Sequence, residues 1–253
     1  MHRSPIAPSA APQIVTSDSK FDWFDTSELL RWDDRDSVYT AHSLFAPIHY
    51  ERGYAYPLIV WLHGAQGNEN ELRQVMPHIS MRNHVGAAPR GTVAIGDSPG
   101  AFDWDQSAEG IYEAAQSVDD CIDIAQRRFN INPQRIFLVG KDSGGTMAFR
   151  LGKQHPNRFA GAISLGGAMP QGLRPLREIN AARSLPLMLS VSPDPTDYPV
   201  ERVMQDLRLM HYAGFSLSLR LYPDGNDLTT NMLADVDSWI LEQFCPTTLE
   251  ASK

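Results

Sequence analysis

Cysteine, basic clusters and long hydrophobic runs are scarce in this sequence, and each scarcity argues against a class of protein. Only two cysteines occur among the 253 residues, Cys121 and Cys245, so neither a disulfide framework nor a cysteine-based metal site is expected. No hydrophobic run reaches the roughly 18 residues of a membrane span. The formal net charge is −8 and lysine and arginine form no cluster, so nucleic acid is not an expected partner.

An apolar leader is also missing from the first residues. Residues 1–12 are rich in proline, alanine and serine, which does not suit a signal peptide and predicts a cytoplasmic location. Residues 1–20 have the composition of an extended arm without a core of its own. The remaining residues, 21–253, are expected to form a single domain. We expect the arm to contact a protein partner or a second copy of the chain.

Short apolar runs alternate with amphipathic segments along the rest of the chain. The run Tyr56–Leu62 is continuously hydrophobic, as in a strand that is buried on both faces. Residues 108–129 repeat apolar side chains at helical spacing. The alternation predicts an α/β domain whose mainly parallel central sheet is flanked by helices. Other strands are expected at 37–48, 84–88, 135–139, 160–165, 185–191 and 216–221, and helices at 69–79, 144–155, 200–212 and 228–244.

The segment 135–150 combines an apolar strand, a turn of small residues and a helix, and it reads RIFLVGKDSGGTMAFR. Glycines at 140, 144 and 145 would let the strand and the helix pack closely around a strained turn. This order resembles the nucleophile elbow of the α/β-hydrolase superfamily, in its phospholipase/carboxylesterase branch, which usually has Gly-x-Ser-x-Gly-Gly. The resemblance extends over residues 37–244 and implies the α/β-hydrolase fold.

A second segment of the resemblance is the loop Leu62-His63-Gly64-Ala65-Gln66-Gly67. In the family this His-Gly loop supplies a backbone amide to the oxyanion hole, which implies that role for Gly64, Ala65 and Gln66 here. His63 usually has a structural part in such a loop. The family acts on ester bonds, so the resemblance implies a small acyl or ester ligand, without a cofactor or a metal ion.

At the nucleophile position, the glycine register selects Asp142 instead of serine. Ser143 follows, and its backbone amide would face the oxyanion site. A slip of one residue would put Ser143 at the tip of the turn. Lys141 would then occupy a place where glycine is normally required, since a Cβ crowds the turn there. Asp142 is therefore the favoured interpretation and Ser143 the alternative.

The position of the catalytic histidine has also changed. In the family this histidine follows the last strand, and the matching residue here is Asn226. No histidine occurs after His211, which the pattern places within a helix. Asparagine cannot accept a proton as a general base. The acid of the family corresponds to Asp194 or Asp197, between which the sequence does not decide.

These replacements favour a non-catalytic member of the family that serves in binding or assembly, because a catalytic triad acts as a unit. The alternative is a hydrolase that acts on ester bonds through Asp142 or Ser143. Asp103 and Asp105 could in principle hold a metal ion, but two carboxylates in one loop are expected to be solvated.

Overall fold

The computed structural model describes residues 41–96, 100–172, 179–192, 198–223 and 227–244. A short 3-10 helix, Glu69–Glu71, precedes the first α-helix. The strands are β1 (His42–Phe45), β2 (Tyr56–Leu62), β3 (Val85–Pro89), β4 (Val93–Ala94), β5 (Phe102–Asp103), β6 (Ile131–Lys141), β7 (Gly161–Leu165), β8 (Leu187–Val191) and β9 (Leu217–Leu221). The α-helices are α1 (Leu72–Ile79), α2 (Ala108–Arg128), α3 (Asp142–Gln154), α4 (Ile179–Ser184), α5 (Val200–Tyr212) and α6 (Thr230–Glu242).

Seven of these strands form one sheet in the order β1-β3-β2-β6-β7-β8-β9. β1 pairs antiparallel with β3, and the other neighbouring pairs are parallel. Strands β4 and β5 form a separate antiparallel hairpin. The predicted α/β class with a mainly parallel central sheet is confirmed.

Two hydrophobic layers cover the sheet. One layer packs α2, α3 and α5 against one face of the sheet, and the other packs α1 and α6 against the opposite face. All seven residues of β2 are buried, as its unbroken hydrophobicity predicts. Because β2 and β6 are neighbours and parallel, the loops that follow them leave the sheet side by side.

The helices begin and end where local chemistry favours it. The Ser107 side chain accepts a hydrogen bond from the amide of Gly110 at 3.1 Å and caps the amino end of α2. Gly214, with a φ of +79°, follows α5 in the left-handed conformation typical of helix ends. Sequence patterns did not predict the β4–β5 hairpin or the six-residue helix α4.

The arm expected at 1–20 lies outside the described residues. The division into this arm and a single domain at 21–253 therefore stays a prediction. Among the helices in the described part of the chain, none is both long and apolar enough to cross a membrane.

Candidate functional site

The sharp turn between β6 and α3 contains Asp142. Its φ is +47°, in the left-handed region that residues other than glycine seldom adopt. A Cβ added to Gly140 would collide with the backbone of Gly144, and one added to Gly144 would collide with the backbone of Leu62. The glycines therefore allow strand and helix to approach closely, which brings Asp142 to the carboxyl edge of the sheet next to the end of β2.

Ser143 is the second residue of α3 and lies beyond the strained position. Its hydroxyl donates a hydrogen bond to Oδ1 of Asp103, at the end of the β4–β5 hairpin. The left-handed φ belongs to Asp142 and not to Ser143. The geometry of the turn thus agrees with the register that puts Asp142 at the tip and directs the Ser143 side chain toward the hairpin.

A lysine lies beside the Asp142 carboxylate. Nζ of Lys141 is 3.8 Å from Oδ2 of Asp142, and both side chains are partly exposed. A Cβ on Gly64 would stand 3.2 Å from the same Oδ2, so the carboxylate adjoins the loop after β2. The turn therefore presents a carboxylate and an ammonium group where the resemblance implies a neutral hydroxyl.

Glu71 adds a second carboxyl group to this cluster. Its Oε1 accepts a hydrogen bond of 3.1 Å from Nε1 of Trp61. Burial raises the pKa of the Glu71 carboxyl, and the nearby Asp142 charge acts in the same direction, whereas the charge of Lys141 and the Trp61 bond oppose the rise. One lysine thus faces two acidic groups, which gives this part of the site an acidic balance.

The predicted oxyanion loop begins directly after β2. The amide of Gly67 donates to the carbonyl oxygen of Gly64 at 3.0 Å and closes a tight turn. Within this turn Ala65 and Gln66 are exposed, and Gln66 has a φ of +64°. The loop thus lies beside Asp142 in space, although its role in binding an oxyanion stays a prediction.

His63 is fully buried at the base of this loop and forms hydrogen bonds through both ring nitrogens. Nε2 accepts from the amide of Gly91 at 2.9 Å, so Nδ1 carries the proton and donates to the carbonyl oxygen of Gly64 at 2.9 Å. Burial lowers the pKa of the imidazole, although the bond to Gly64 and neighbouring acidic groups oppose this. His63 therefore has no free lone pair with which to act as a base. His211 is exposed on α5.

The β4–β5 hairpin is attached to the oxyanion loop. The amide of Phe102 donates to the carbonyl oxygen of Gly67 at 2.9 Å. Arg90 binds the carboxylate of the buried Glu69 through two nitrogens, at 2.8 and 2.5 Å, and its guanidinium lies 4.7 Å from the centre of the Phe102 ring. The sequence did not predict these contacts, since Glu69, Arg90 and Phe102 come from separate parts of the chain.

Asp103 and Asp105 differ in exposure: Asp105 is exposed, as expected for this loop, whereas Asp103 is only partly exposed. Asp103 is half-buried and accepts hydrogen bonds from the Ser143 hydroxyl and from the amide of Trp104. Asp105 instead accepts from the amide of Ser107 at 2.9 Å and from its hydroxyl. The two carboxylates are thus used separately, and within the described residues no group of three or more His, Cys, Asp or Glu could hold a metal ion.

Three of the predicted site residues, Asp194, Asp197 and Asn226, lie outside the described residues. The strands that precede them do belong to the sheet: β8 ends at Val191 and β9 at Leu221. Because β6, β8 and β9 run parallel, their carboxyl ends share the edge where Asp142 lies. The assignment of acid and histidine positions to those three residues stays a prediction.

Part of the chain is similar in sequence to known esterases and hydrolases. Residues 97–195 match the model of the phospholipase/carboxylesterase family. The chain is 24% identical over 201 residues to the hydrolase candidate MhqD of Bacillus subtilis, in an alignment that covers 76% of this chain and 96% of that protein. It is 26% identical over 136 residues to the esterase candidate NocK of Nocardia uniformis, in an alignment that covers 52% of this chain but only 38% of that longer protein.

A solved structure with the same fold is the carboxylesterase of Bacillus cereus. It aligns with 82% of this chain and 96% of its own length, with a TM-score of 0.63. The sequence identity is 16%, so this likeness establishes the fold and nothing finer.

Proposed function

We propose that this chain is a non-catalytic α/β-hydrolase of the carboxylesterase/phospholipase-like type, and that it serves in binding or assembly. The observation that supports this most directly is the occupant of the turn after β6. Asp142, with Lys141 beside it, occupies that turn, and we infer that it takes the place of the serine of an esterase of this type.

A working aspartate nucleophile would need a second group to complete its reaction. A carboxylate that displaces a leaving group from an alkyl carbon forms an alkyl ester with the protein, and a base must activate the water that cleaves this ester. His63 cannot provide that base, since both of its ring nitrogens are already in hydrogen bonds. The sequence has Asn226 where the family has its histidine, and asparagine cannot accept the proton. Without a base, Asp142 would react once and stop.

We infer that the backbone around the turn can still bind a ligand. The glycines that shape the turn and the loop beside it are present, and backbone donors do not depend on the lost side chains. We therefore propose that a small acyl or ester group can still be bound with its carbonyl oxygen toward the amides near Ala65 and Ser143. The acidic balance of Asp142, Lys141 and Glu71 would disfavour ligands that carry a carboxylate at that end.

One observation favours the alternative of a hydrolase that acts through Ser143. The Ser143 hydroxyl donates to the Asp103 carboxylate, and a carboxylate can in principle accept the proton of an oxygen nucleophile. The position of Ser143 inside α3 weighs against this alternative, because the residue after the tip does not project into the substrate site of an elbow.

Ester hydrolysis and active-site labelling test the proposal together. Short p-nitrophenyl esters and a fluorophosphonate probe would be offered to the purified chain and to the variants Asp142→Asn and Ser143→Ala. We expect no turnover above that of the variants, and no covalent adduct by mass spectrometry. Stoichiometric labelling that is lost in Ser143→Ala would support the serine alternative. Turnover that is lost in Asp142→Asn would show that the aspartate is a nucleophile.

Binding requires its own measurement, since absence of turnover alone does not demonstrate it. A short-chain carboxamide, which resists hydrolysis, would be added as the ligand in increasing amounts. The chemical shifts of the backbone N–H groups of the protein would be recorded at each step. We expect saturable shifts around the turn. They should weaken in Ala65→Pro, which removes the amide donor at that position, and persist in the matched variant Ala65→Gly, which keeps it. No saturable shift at any accessible concentration would contradict a retained ligand site.

A further inference from the structure

A polar cavity lies between the loop after β3 and the first half of α2. Its volume is about 320 Å³, at the lower end of the range that small-molecule sites occupy. Its walls are formed by Arg90, Gly91 and Thr92 from the loop and by Tyr112, Glu113, Gln116 and Ser117 from the helix. None of these residues belongs to the turn at Asp142 or to the loop 63–67, so the cavity is a different site from the one proposed above.

The two walls of the cavity carry opposite charges. On the loop wall, Arg90 binds Glu69 through Nε and Nη2, and its Nη1 has no hydrogen-bond partner in the described part of the chain. On the helix wall, the carboxylate of Glu113 forms neither an ion pair nor a hydrogen bond with any described residue. The cavity therefore offers the N–H donors of a guanidinium on one side and an uncompensated carboxylate on the other.

We propose that this cavity binds a small zwitterion that carries both a carboxylate and an ammonium group, such as a free amino acid. The carboxylate of the ligand would accept hydrogen bonds from Nη1 of Arg90, and its ammonium group would pair with Glu113. The ring of Tyr112, which belongs to the same wall and is 65% exposed, would attract the ammonium group through a cation–π contact.

Ions with a charge of only one sign fit these walls less well. An anion would pair with Arg90, whose charge Glu69 already offsets in part, and would be repelled by Glu113. A cation would pair with Glu113 but would approach the guanidinium of Arg90. A ligand with both charges gains both attractions and avoids both repulsions, so the arrangement discriminates against the simpler ions.

Solvent limits the strength of this binding. The side chain of Arg90 is 37% exposed and Glu113 is an exposed residue, so water and salt screen the charges of both. We therefore expect a dissociation constant on the order of 1 mM. The affinity should fall further as the ionic strength is raised.

Titration with amino acids tests which charges of the ligand are recognised. Glycine, β-alanine and γ-aminobutyrate, which differ in the separation of their two charges, would be added to the full chain while the backbone N–H chemical shifts are recorded. We expect saturable shifts at Gly91, Thr92 and residues 112–117. For the amino acid that binds best, the amide derivative lacks the carboxylate and the N-acetyl derivative lacks the ammonium group. Each derivative should bind at least about fivefold more weakly.

A pair of matched variants tests the helix wall. Glu113→Gln should weaken binding by about fivefold, since it removes the partner of the ammonium group. Glu109→Gln makes the same change at an exposed position one turn earlier on α2, outside the cavity, and should alter the dissociation constant by less than about twofold.

Four results would overturn the proposal. One is the absence of saturable shifts up to about 50 mM of each amino acid. Another is a set of shifts confined to the turn at Asp142, which would place the binding elsewhere. The others are derivatives that bind as tightly as the parent amino acid, and a loss of affinity in Glu113→Gln no greater than that in Glu109→Gln.

Discussion

Glycine substitutions at two adjacent positions, 142 and 143, should change stability in opposite directions. Asp142 has a φ of +47°, whereas Ser143 is within α3. A residue with a Cβ costs about 1–2 kcal/mol in the left-handed conformation, and glycine avoids that cost. Glycine loses about 0.5–1 kcal/mol through its greater freedom in the unfolded chain. The partly exposed Lys141–Asp142 pair contributes little, about 0.5 kcal/mol or less. Asp142→Gly should therefore raise the free energy of unfolding by about 0.5 kcal/mol.

Ser143→Gly makes the same replacement one residue later but relieves no strain. It removes the hydrogen bond from the serine hydroxyl to the Asp103 carboxylate, which is worth about 1.5 kcal/mol because both side chains are partly exposed. It also lowers helix propensity by about 0.5 kcal/mol. The variant should lose about 2 kcal/mol, so the two glycine variants should differ by about 2.5 kcal/mol.

Urea unfolding followed by circular dichroism measures this difference, provided that both variants show the same dependence on denaturant. In thermal unfolding the midpoints should differ by about 5–10 °C, since about 2–4 °C corresponds to each kcal/mol in a domain of this size. Equal destabilisation by both substitutions would refute the reasoning. It would mean that the left-handed turn at Asp142 carries no strain, or that its carboxylate stabilises the fold more than its contact with Lys141 indicates.

Three further predictions concern the site and the core. The double change Asp142→Ser with Asn226→His should give measurable hydrolysis of a short p-nitrophenyl ester, while either change alone should not, since serine and base act together. A folded double variant that no fluorophosphonate labels would contradict the assignment of Asp142 and Asn226 to the nucleophile and histidine positions. Burial acts to raise the pKa of Glu69, but the hydrogen bond from Arg90 lowers this pKa overall. The ionised carboxylate therefore stabilises the folded chain above the ordinary pKa of 4.5, and this contribution is lost as the pH falls through the lower pKa of the folded state. Glu69→Gln should therefore be less stable than the unmodified chain at pH 7, with a smaller difference at about pH 3 in urea titrations; an equal difference at both values would count against the ion pair. Burial raises the pKa of the Cys121 thiol, so iodoacetamide should not alkylate it in the folded chain, and rapid modification detected by mass spectrometry would show that the core opens.

Local patterns predicted the scaffold of the site well. The apolar run of β2 and the glycines around the turn at 140–145 depend on neighbours in sequence, so their structure can be inferred from the sequence itself. The boundaries of α5, Val200–Tyr212, agree with the predicted range because an amphipathic repeat and a following glycine mark them.

Contacts between distant segments could not be predicted in this way. Asp103 receives its hydrogen bond from Ser143, 40 positions away, and His63 bonds to Gly91, 28 positions away. Neither pair has a spacing that indicates contact, because the positions of the two segments depend on how β2, β3 and β6 are arranged in the sheet. The two-residue strands β4 and β5 are likewise too short to give a hydrophobic period.

Nε2 of His63 can either be protonated or accept the hydrogen bond from the amide of Gly91, but not both. Protonation of Nε2 would expel the amide of Gly91 and leave a buried charge between the ends of β2 and β3. Because burial holds the pKa of the folded imidazole below 6.5, the unfolded chain takes up this proton first as the solution is acidified. Below that pH each further unit favours the unfolded chain by up to about 1.4 kcal/mol, until the folded imidazole also titrates. Mild acid should therefore lower the free energy of unfolding through the loss of the hydrogen bond between Gly91 and His63.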